Sequence, residues 1–269
     1  MYYNIDMDLF QAVTLGATQG LTEFAPVSSS GHLTLLGGIF GISEGADFHD
    51  FLELISFGTL IVLIIYYFPR LKQLFTDVFK KHKYKDLINI ILTCIPAGLA
   101  GLLLSDFIDS HFNNYIVLAC MMGFIGLLMI FANKLPHLSH LKNETQLTPG
   151  RSLAIGFAQI LALVPGASRS GTTILAGRIM GLKNKPAADY SFLVSIALTT
   201  AVCLKSLFSA HDFLFANFGP VLLANLVALI IGLLVIKPLL KFLYRDNSLK
   251  YFGLYRLLLA AIILIFALN

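Results

Sequence analysis

The sequence is poor in charge. Only 13% of its 269 residues are charged, whereas 57% are hydrophobic and the mean hydropathy is +0.80. A soluble domain of this length does not need so much apolar surface, so the composition excludes a water-soluble protein and requires a lipid environment. The formal charge of +4 comes from lysines and arginines clustered in a few short loops. We interpret this clustering as a signal of membrane topology and not of nucleic-acid binding.

Cysteine is scarce as well. The three cysteines, Cys94, Cys120 and Cys203, lie far apart in apolar segments, which supports neither a disulfide framework nor a metal cluster. The period-two alternation of a membrane β-barrel is also missing, and long unbroken apolar runs take its place. Because hydrocarbon offers backbone groups no hydrogen-bond partner, these runs predict an all-α, polytopic membrane protein.

Six apolar runs approach the roughly 20 residues that a helix needs to cross a bilayer. We predict full spans at about 51–68, 87–104, 114–132, 188–207, 219–237 and 251–268. Two further apolar regions, about 8–42 and 152–182, are interrupted midway by proline, glycine and serine, which break or kink helices. These two regions predict re-entrant hairpins of broken helices.

The loops between the predicted spans differ in charge. Three of them are basic, and they lie at about 70–85, 134–151 and 237–250. By the positive-inside rule these loops are cytoplasmic. The loops at about 106–114 and 209–219 hold no lysine or arginine and fit the outer face, so the six spans alternate without conflict.

The two interrupted regions resemble each other. A gapless shift of 140 residues aligns several small and polar positions, among them Gly16 with Gly156, Gln19 with Gln159, Ser28 with Ser168, Ser30 with Ser170 and Gly31 with Gly171. Three spans follow each region, and an odd number reverses the second copy in the membrane. The sequence therefore predicts one membrane domain over 1–269 that contains an inverted repeat, 8–132 and 148–269. Such repeats bring two broken helices together near the bilayer midplane, where helix N-termini can receive an anion.

The first interruption carries chemistry that is costly in a membrane. Its sequence, QGLTEFAPVSSSGH from Gln19 to His32, gathers Glu23, three serines and a histidine in a segment otherwise suited to lipid. Ionisable groups at that depth face a protein interior or a water-filled cavity and mark function. Gln19 and Glu23 share one helix face. A hydrogen bond from Gln19 to the matching Gln159 is an alternative to a role in binding a ligand.

The second interruption supplies a cation. Its sequence, PGASRSGTT from Pro165 to Thr173, sets Arg169 among serines and threonines. An arginine presents a planar fork of donors that suits phosphate oxygens, and a glycine-rich turn that opens a helix adds backbone N–H groups. This segment predicts an anion cradle, and we expect the two interruptions to meet.

The two segments together resemble the signature segments of the bacterial undecaprenyl-pyrophosphate phosphatases, the bacitracin-resistance family. The resemblance implies release of one phosphate from a C55 diphosphate lipid, which recycles the carrier for cell-wall synthesis, with a divalent cation such as Mg²⁺ or Ca²⁺. By motif position it implies four catalytic residues, Glu23, Ser29, His32 and Arg169. We predict the neighbouring polar residues as substrate-binding: Gln19, Ser28, Ser30, Ser168, Ser170, Thr172 and Thr173. Glu23 is also a candidate metal ligand. The first position of the family's E/Q-x-x-x-E pattern is Gln19 here, which leaves one carboxylate in that motif instead of two.

Several alternatives stay open at this point. The attacking atom is Ser29, His32 or an activated water, and we favour Ser29. The strongest rival function is a transporter or flippase of a polyprenyl-phosphate lipid, because inverted repeats with broken helices are a transporter architecture. The expected partners are the polyprenyl diphosphate substrate and membrane lipids, without nucleic acid, and a homodimer is left open. The resemblance implies the bacterial inner membrane, with the site opening to the periplasmic face.

Overall fold

The computed structural model describes residues 7–42, 45–134 and 141–268. The described residues form helices and no β-strand, apart from one isolated bridge between Leu141 and Leu182. This confirms the predicted all-α class. The helices are α1 (Leu9–Thr22), α2 (Ser29–Ile39), α3 (Ala46–Leu54), α4 (Ser56–Phe79), α5 (Lys85–Phe112), α6 (Tyr115–Ile130), α7 (Pro149–Gln159), α8 (Arg169–Ile179), α9 (Asn184–Ser209), α10 (His211–Ala216), α11 (Phe218–Leu243) and α12 (Ser248–Leu268).

Five helical segments are long and apolar enough to cross a membrane. They are Asp47–Phe79, Lys85–Ser105, Asn184–Ser209, Phe218–Leu243 and Ser248–Leu268, and each contains one predicted span. The sixth predicted span, at 114–132, corresponds to α6, an apolar helix of only 16 residues. Such a helix is about 24 Å long, shorter than the roughly 30 Å of a hydrocarbon core. Six full spans therefore stay a prediction, whereas a polytopic membrane protein is established.

Both predicted helix interruptions are present. α1 ends at Thr22 and α2 begins at Ser29, while α7 ends at Gln159, continues as a 3-10 helix over Ile160–Leu163, and is followed by α8 from Arg169. The caps that begin α2 and α8 are alike. Ser28 and Ser168 have φ of 69° and 68°, and their hydroxyls accept from the N–H groups of Gly31 and Gly171. A serine in the left-handed region that caps the next helix turns the chain sharply and satisfies one free N–H group.

Close helix packing brackets these interruptions. α1 packs along α11, α7 along α5, and α6 along α12. At Gly16 of α1 an added Cβ would lie 2.4 Å from the carbonyl oxygen of Ala224. The two backbones can approach so closely only because a glycine stands there. The close approach of α1 to α11 therefore depends on Gly16.

Candidate active site at the two helix interruptions

Glu23 and Ser29 lie on opposite sides of the first interruption. Glu23 caps the C-terminus of α1, and Ser29 is the first residue of α2. The turn through Pro26, which cannot continue a helix, brings the two side chains together. The Ser29 hydroxyl donates to Glu23 Oε2 at 2.6 Å. A serine whose proton points at a carboxylate is the arrangement that activates a hydroxyl as a nucleophile.

Arg169 reaches the same carboxylate from the second interruption. It is the first residue of α8, and its Nη2 donates to Glu23 Oε1 at 2.6 Å. Its Nη1 donates to Thr199 Oγ1 at 2.8 Å. The Glu23 side chain is 12% exposed and that of Arg169 26% exposed, so the ion pair is shielded and yet can be reached. The two interruptions meet, as expected from the sequence.

Gln19 contacts the carboxylate of Glu23 and not Gln159, which is the partner considered from the sequence. Its amide Nε2 donates to Glu23 Oε2 at 3.2 Å and to Thr59 Oγ1 at 3.4 Å. Gln159 donates instead to the backbone carbonyl of Thr93. The predicted alternative of a hydrogen bond between Gln19 and Gln159 is therefore wrong. A carboxylate one turn along the same helix is a stronger acceptor than a distant neutral amide.

The cap serines bond to each other and to the helix starts. Ser28 lies 3.1 Å from Ser30, and Ser168 lies 3.3 Å from Ser170, measured between hydroxyl oxygens. The Ser170 hydroxyl also donates to the carbonyl of Ala25 at 3.4 Å, which is a second contact between the interruptions. Ser30 is exposed and the other three are buried. Their hydroxyls shape the two helix starts, and only Ser30 is freely accessible.

The two threonines of the second interruption differ in their surroundings. Thr173 donates to the carbonyl of Arg169 at 2.8 Å and lies 2.5 Å from the Ser191 hydroxyl. Thr172 is buried, and its hydroxyl has no hydrogen-bond partner among the residues that the structure describes. Thr173 thus braces the turn that holds Arg169.

His32 lies on α2 one turn after Ser29, but its ring turns away from the carboxylate. Nδ1 is 2.7 Å from the Ser28 carbonyl, and Nε2 is 2.7 Å from the hydroxyl of Tyr255 on α12. Both ring nitrogens are therefore engaged outside the contacts among Glu23, Ser29 and Arg169. Of the four residues predicted as catalytic, three touch and His32 lies beside them.

Arg256 is a buried cation that the sequence reasoning missed. It lies in α12, is 0% exposed, and donates only to backbone carbonyls within the described part of the chain. Its donors contact Pro26 from the first interruption (3.2 Å), Gly166 and Ala167 from the second (2.6 and 3.2 Å), and Met122 of α6 (3.2 Å). The signal was available, since an arginine within an apolar span marks an interior role. One side chain, that of Arg256, therefore bonds to the backbone of both interruptions.

The described residues offer one carboxylate to a cation at this site. No group of three histidine, cysteine or acidic side chains that could hold a metal occurs within 7–42, 45–134 and 141–268. Both oxygens of Glu23 already accept hydrogen bonds. This donor set fits a cation held mainly by substrate phosphates and one protein carboxylate, a common mode for Mg²⁺.

The arrangement as a whole suits phosphoryl transfer. A hydroxyl, a carboxylate that can take its proton, and a guanidinium that can hold a phosphoryl group stand in direct contact at two helix N-termini. Phosphoryl transfer needs positioning and charge stabilisation more than covalent help from the protein. Helix N-termini add backbone N–H groups that favour anions.

Comparison with known proteins also points to phosphoryl transfer. The family model described as bacitracin resistance protein BacA matches residues 12–262. An undecaprenyl-diphosphatase of Lacticaseibacillus casei is 32% identical over 270 residues, which covers 96% of this chain and 98% of that protein. An undecaprenyl-diphosphatase of Clostridium tetani is 34% identical over 263 residues and covers 96% of each chain. One from Streptococcus thermophilus is 29% identical, with 97% of this chain and 93% of that protein covered.

Proposed function

Because the chain belongs to the bacitracin resistance protein family, BacA, we propose that Glu23, Ser29 and Arg169 form its phosphatase site. The chain is a membrane phosphatase that hydrolyses undecaprenyl diphosphate to undecaprenyl phosphate and inorganic phosphate. Recycling of this lipid carrier for cell-wall synthesis and resistance to bacitracin follow from that activity. The contact of Ser29 and Arg169 with the two oxygens of Glu23 carries the assignment of the site.

Substrate binding begins at Arg169. The terminal phosphate of the diphosphate competes with Glu23 for the guanidinium, whose fork can hold two phosphoryl oxygens. The N–H groups that begin α8 lie beside it and stabilise the charge that the transition state spreads over these oxygens. As Glu23 loses part of its ion pair, it becomes a better acceptor for the Ser29 proton.

Ser29 then attacks in line. Its Oγ forms a bond to the terminal phosphorus, its proton passes to Glu23, and the bond to the bridging oxygen breaks, with the electron pair leaving on undecaprenyl phosphate. Glu23 passes the proton to the departing phosphate and is again a base. It takes a proton from water as water attacks the phosphoserine, and it returns that proton to Ser29 Oγ. Ser29 is favoured over His32 because its hydroxyl bonds directly to the carboxylate, whereas both nitrogens of His32 bond elsewhere.

Trapping the intermediate tests the choice of nucleophile. After a rapid quench, we expect a phosphate label on the peptide that contains Ser29, and none in a Ser29→Ala variant. A label on His32 would overturn the assignment of Ser29. Active enzyme without any labelled peptide would favour direct attack by water.

We propose that Mg²⁺ or Ca²⁺ accompanies the diphosphate, with Glu23 as its protein ligand. When bound, the cation would neutralise phosphate charge. We expect a chelator to abolish phosphate release and either cation to restore it. Unchanged phosphate release in excess chelator would show that the reaction needs no divalent cation.

We propose that the chain is an inverted repeat, 8–132 and 148–269. The nearly equal φ values and the matching cap bonds of Ser28 and Ser168 support it, as does the packing of α1 on α11 and of α7 on α5. Positions 43, 44 and 269 of these ranges lie outside the described residues.

We also propose that the protein resides in the bacterial inner membrane, with its basic loops in the cytoplasm and its site open to the periplasmic face.

Phosphate release separates this function from transport. Purified protein in detergent, with a divalent cation, should release phosphate from undecaprenyl diphosphate and none from undecaprenyl phosphate. A transporter or flippase moves the lipid without breaking its phosphoric anhydride bond, so it would release none. Absence of release from the wild-type protein under these conditions would favour the transporter.

A further inference from the structure

α12 contributes a second residue beside Arg256 to the surroundings of the site. The hydroxyl of Tyr255 lies 2.7 Å from His32 Nε2. The two rings stack, with centroids 5.7 Å apart and planes inclined by 6°. Tyr255 and His32 are 223 positions apart in sequence, and neither interrupted segment contains the tyrosine.

The partners of His32 determine where its proton lies. A backbone carbonyl can only accept, so the 2.7 Å contact with the Ser28 carbonyl requires a proton on Nδ1. In the neutral ring Nε2 is then an acceptor, and it accepts from the Tyr255 hydroxyl. The Ser28 carbonyl thus selects the tautomer of His32, and the Tyr255 hydroxyl holds the orientation of its ring.

His32 connects this contact to the start of α2. The Ser28 carbonyl accepts from the ring Nδ1 and also from the backbone N–H of His32 at 3.4 Å. Ser28 is the cap in the left-handed region, with φ of 69°, and Ser29 follows it directly. Two hydrogen bonds therefore connect Tyr255 through His32 to the Ser28 carbonyl, and the peptide bond of Ser28 leads directly to Ser29.

We propose that Tyr255 is a positioning residue for the phosphatase reaction. Its hydroxyl holds the ring of His32 in one orientation, and through the contact of that ring with the Ser28 carbonyl it holds the cap from which Ser29 meets Glu23. Tyr255 touches no reacting atom and acts through His32. This inference rests on the proposed phosphatase site, since one of its measurements is the rate of phosphate release.

Tyr255→Phe is the direct test, because it removes the hydroxyl and keeps the ring that stacks on His32. The matched control is Tyr251→Phe, one turn earlier on α12, where the tyrosine is exposed and lies beside Phe242. We expect Tyr255→Phe to lower kcat by roughly tenfold, as for the loss of one hydrogen bond, with KM within about twofold. Tyr251→Phe should leave both unchanged. Equal kcat in the two variants would overturn the proposal.

The state of the histidine is measured separately from activity. In protein with ¹⁵N-labelled histidine, the His32 resonances, assigned by their loss in His32→Ala, should report a proton on Nδ1. In Tyr255→Phe the Nε2 resonance should shift, because Nε2 loses the hydroxyl that donates to it. Unchanged resonances in Tyr255→Phe would overturn the proposal even if kcat falls. Because this spectrum needs no turnover, an inactive wild-type protein would contradict the proposed function and leave this measurement standing.

A double variant tests whether Tyr255 acts through His32. Adding Tyr255→Phe to His32→Ala should cost no further activity, because the hydrogen bond is already gone. A second, full loss in the double variant would show that Tyr255 acts independently of His32, and it would overturn the positioning role.

Discussion

Glu23 is the residue at which the two interruptions meet. One oxygen accepts from Arg169, and the other accepts from Ser29 and Gln19. A carboxylate within a membrane domain is costly unless it is paired and hydrogen-bonded. The same contacts that stabilise Glu23 without substrate bring together a base, a nucleophile and a phosphate ligand. Removing Arg169 leaves the carboxylate without its cation, and removing Glu23 leaves Nη2 of Arg169 without its acceptor.

Arg169→Lys should separate charge from geometry. A lysine keeps the positive charge but cannot contact Glu23, Thr199 and a phosphate with a planar fork. We expect the rate of phosphate release to fall by roughly 10²-fold or more, the size of the loss of a transition-state donor. The control is Arg245→Lys, which alters an exposed arginine after α11 and should keep the wild-type rate. Wild-type activity in Arg169→Lys would exclude a forked phosphate contact.

Arg256→Met should destabilise the fold and inactivate the enzyme together. The substitution removes the donors for carbonyls of both interruptions and leaves them buried without a partner. We expect a loss of about 2 to 4 kcal/mol in the free energy of unfolding, measured by thermal or denaturant unfolding in detergent. Leu257→Met at the next position is the control and should be nearly neutral. A variant as stable as the wild type would show that Arg256 does not tie the interruptions.

The residues that a sequence can reveal here are those in which chemistry is concentrated. Glu23, Ser29 and Arg169 stand out because they interrupt apolar segments at related positions. Tyr255 and Arg256 share their segment with ordinary spanning residues, and only the fold brings them to His32 and Pro26. Gln19 shows the same limit, because the matched position of Gln159 suggested a bond that the neighbouring carboxylate of Glu23 prevents.

At the scale of elements, the site depends on two turns that begin helices. In each turn a serine in the left-handed region caps the next helix, so Ser29 and Arg169 occupy equivalent first positions of α2 and α8. Proline, glycine and serine made these breaks predictable. The 3-10 helix over Ile160–Leu163 and the short length of α6 were not, because both depend on packing between helices and not on local sequence.

Gly166→Ala should disrupt the second turn. Gly166 has φ of 90°, and an added Cβ would lie 2.3 Å from the carbonyl oxygen of Leu118. The backbone must shift, and the carbonyl that Arg256 contacts at 2.6 Å shifts with it. We expect unfolding to become easier by at least about 2 kcal/mol.

The control for this glycine is Gly98→Ala in α5. Nothing lies within 4 Å of a Cβ added there, and alanine is the better helix former, so stability should stay equal or rise by about 0.5 to 1 kcal/mol. Equal stability of the two variants in a thermal unfolding scan would contradict the strain assigned to the second turn.

At the scale of the whole molecule, the charge of the loops predicts the direction in which the helices cross the membrane. The basic loop that joins α4 to α5 and the segment around the junction of α5 and α6, which holds no lysine or arginine, should lie on opposite faces. Single cysteines test this in a background from which Cys94, Cys120 and Cys203 are removed. In right-side-out vesicles an impermeant thiol reagent should label Ser110→Cys, and it should label His82→Cys only after lysis. Labelling of both before lysis would contradict the predicted orientation.

Comparison of two glutamates gives the most direct test of the site. Glu23 joins the two interruptions, whereas Glu53 accepts from Lys205 at 3.1 Å and from Ser206 at 2.6 Å and belongs to no part of the proposed chemistry. Phosphate release from undecaprenyl diphosphate should fall by about 10³-fold or more in Glu23→Gln, which keeps the shape but removes the base. It should stay within about threefold of the wild type in Glu53→Gln. A folded Glu23→Gln protein that releases phosphate at the wild-type rate would show that Glu23 is not the base of the reaction.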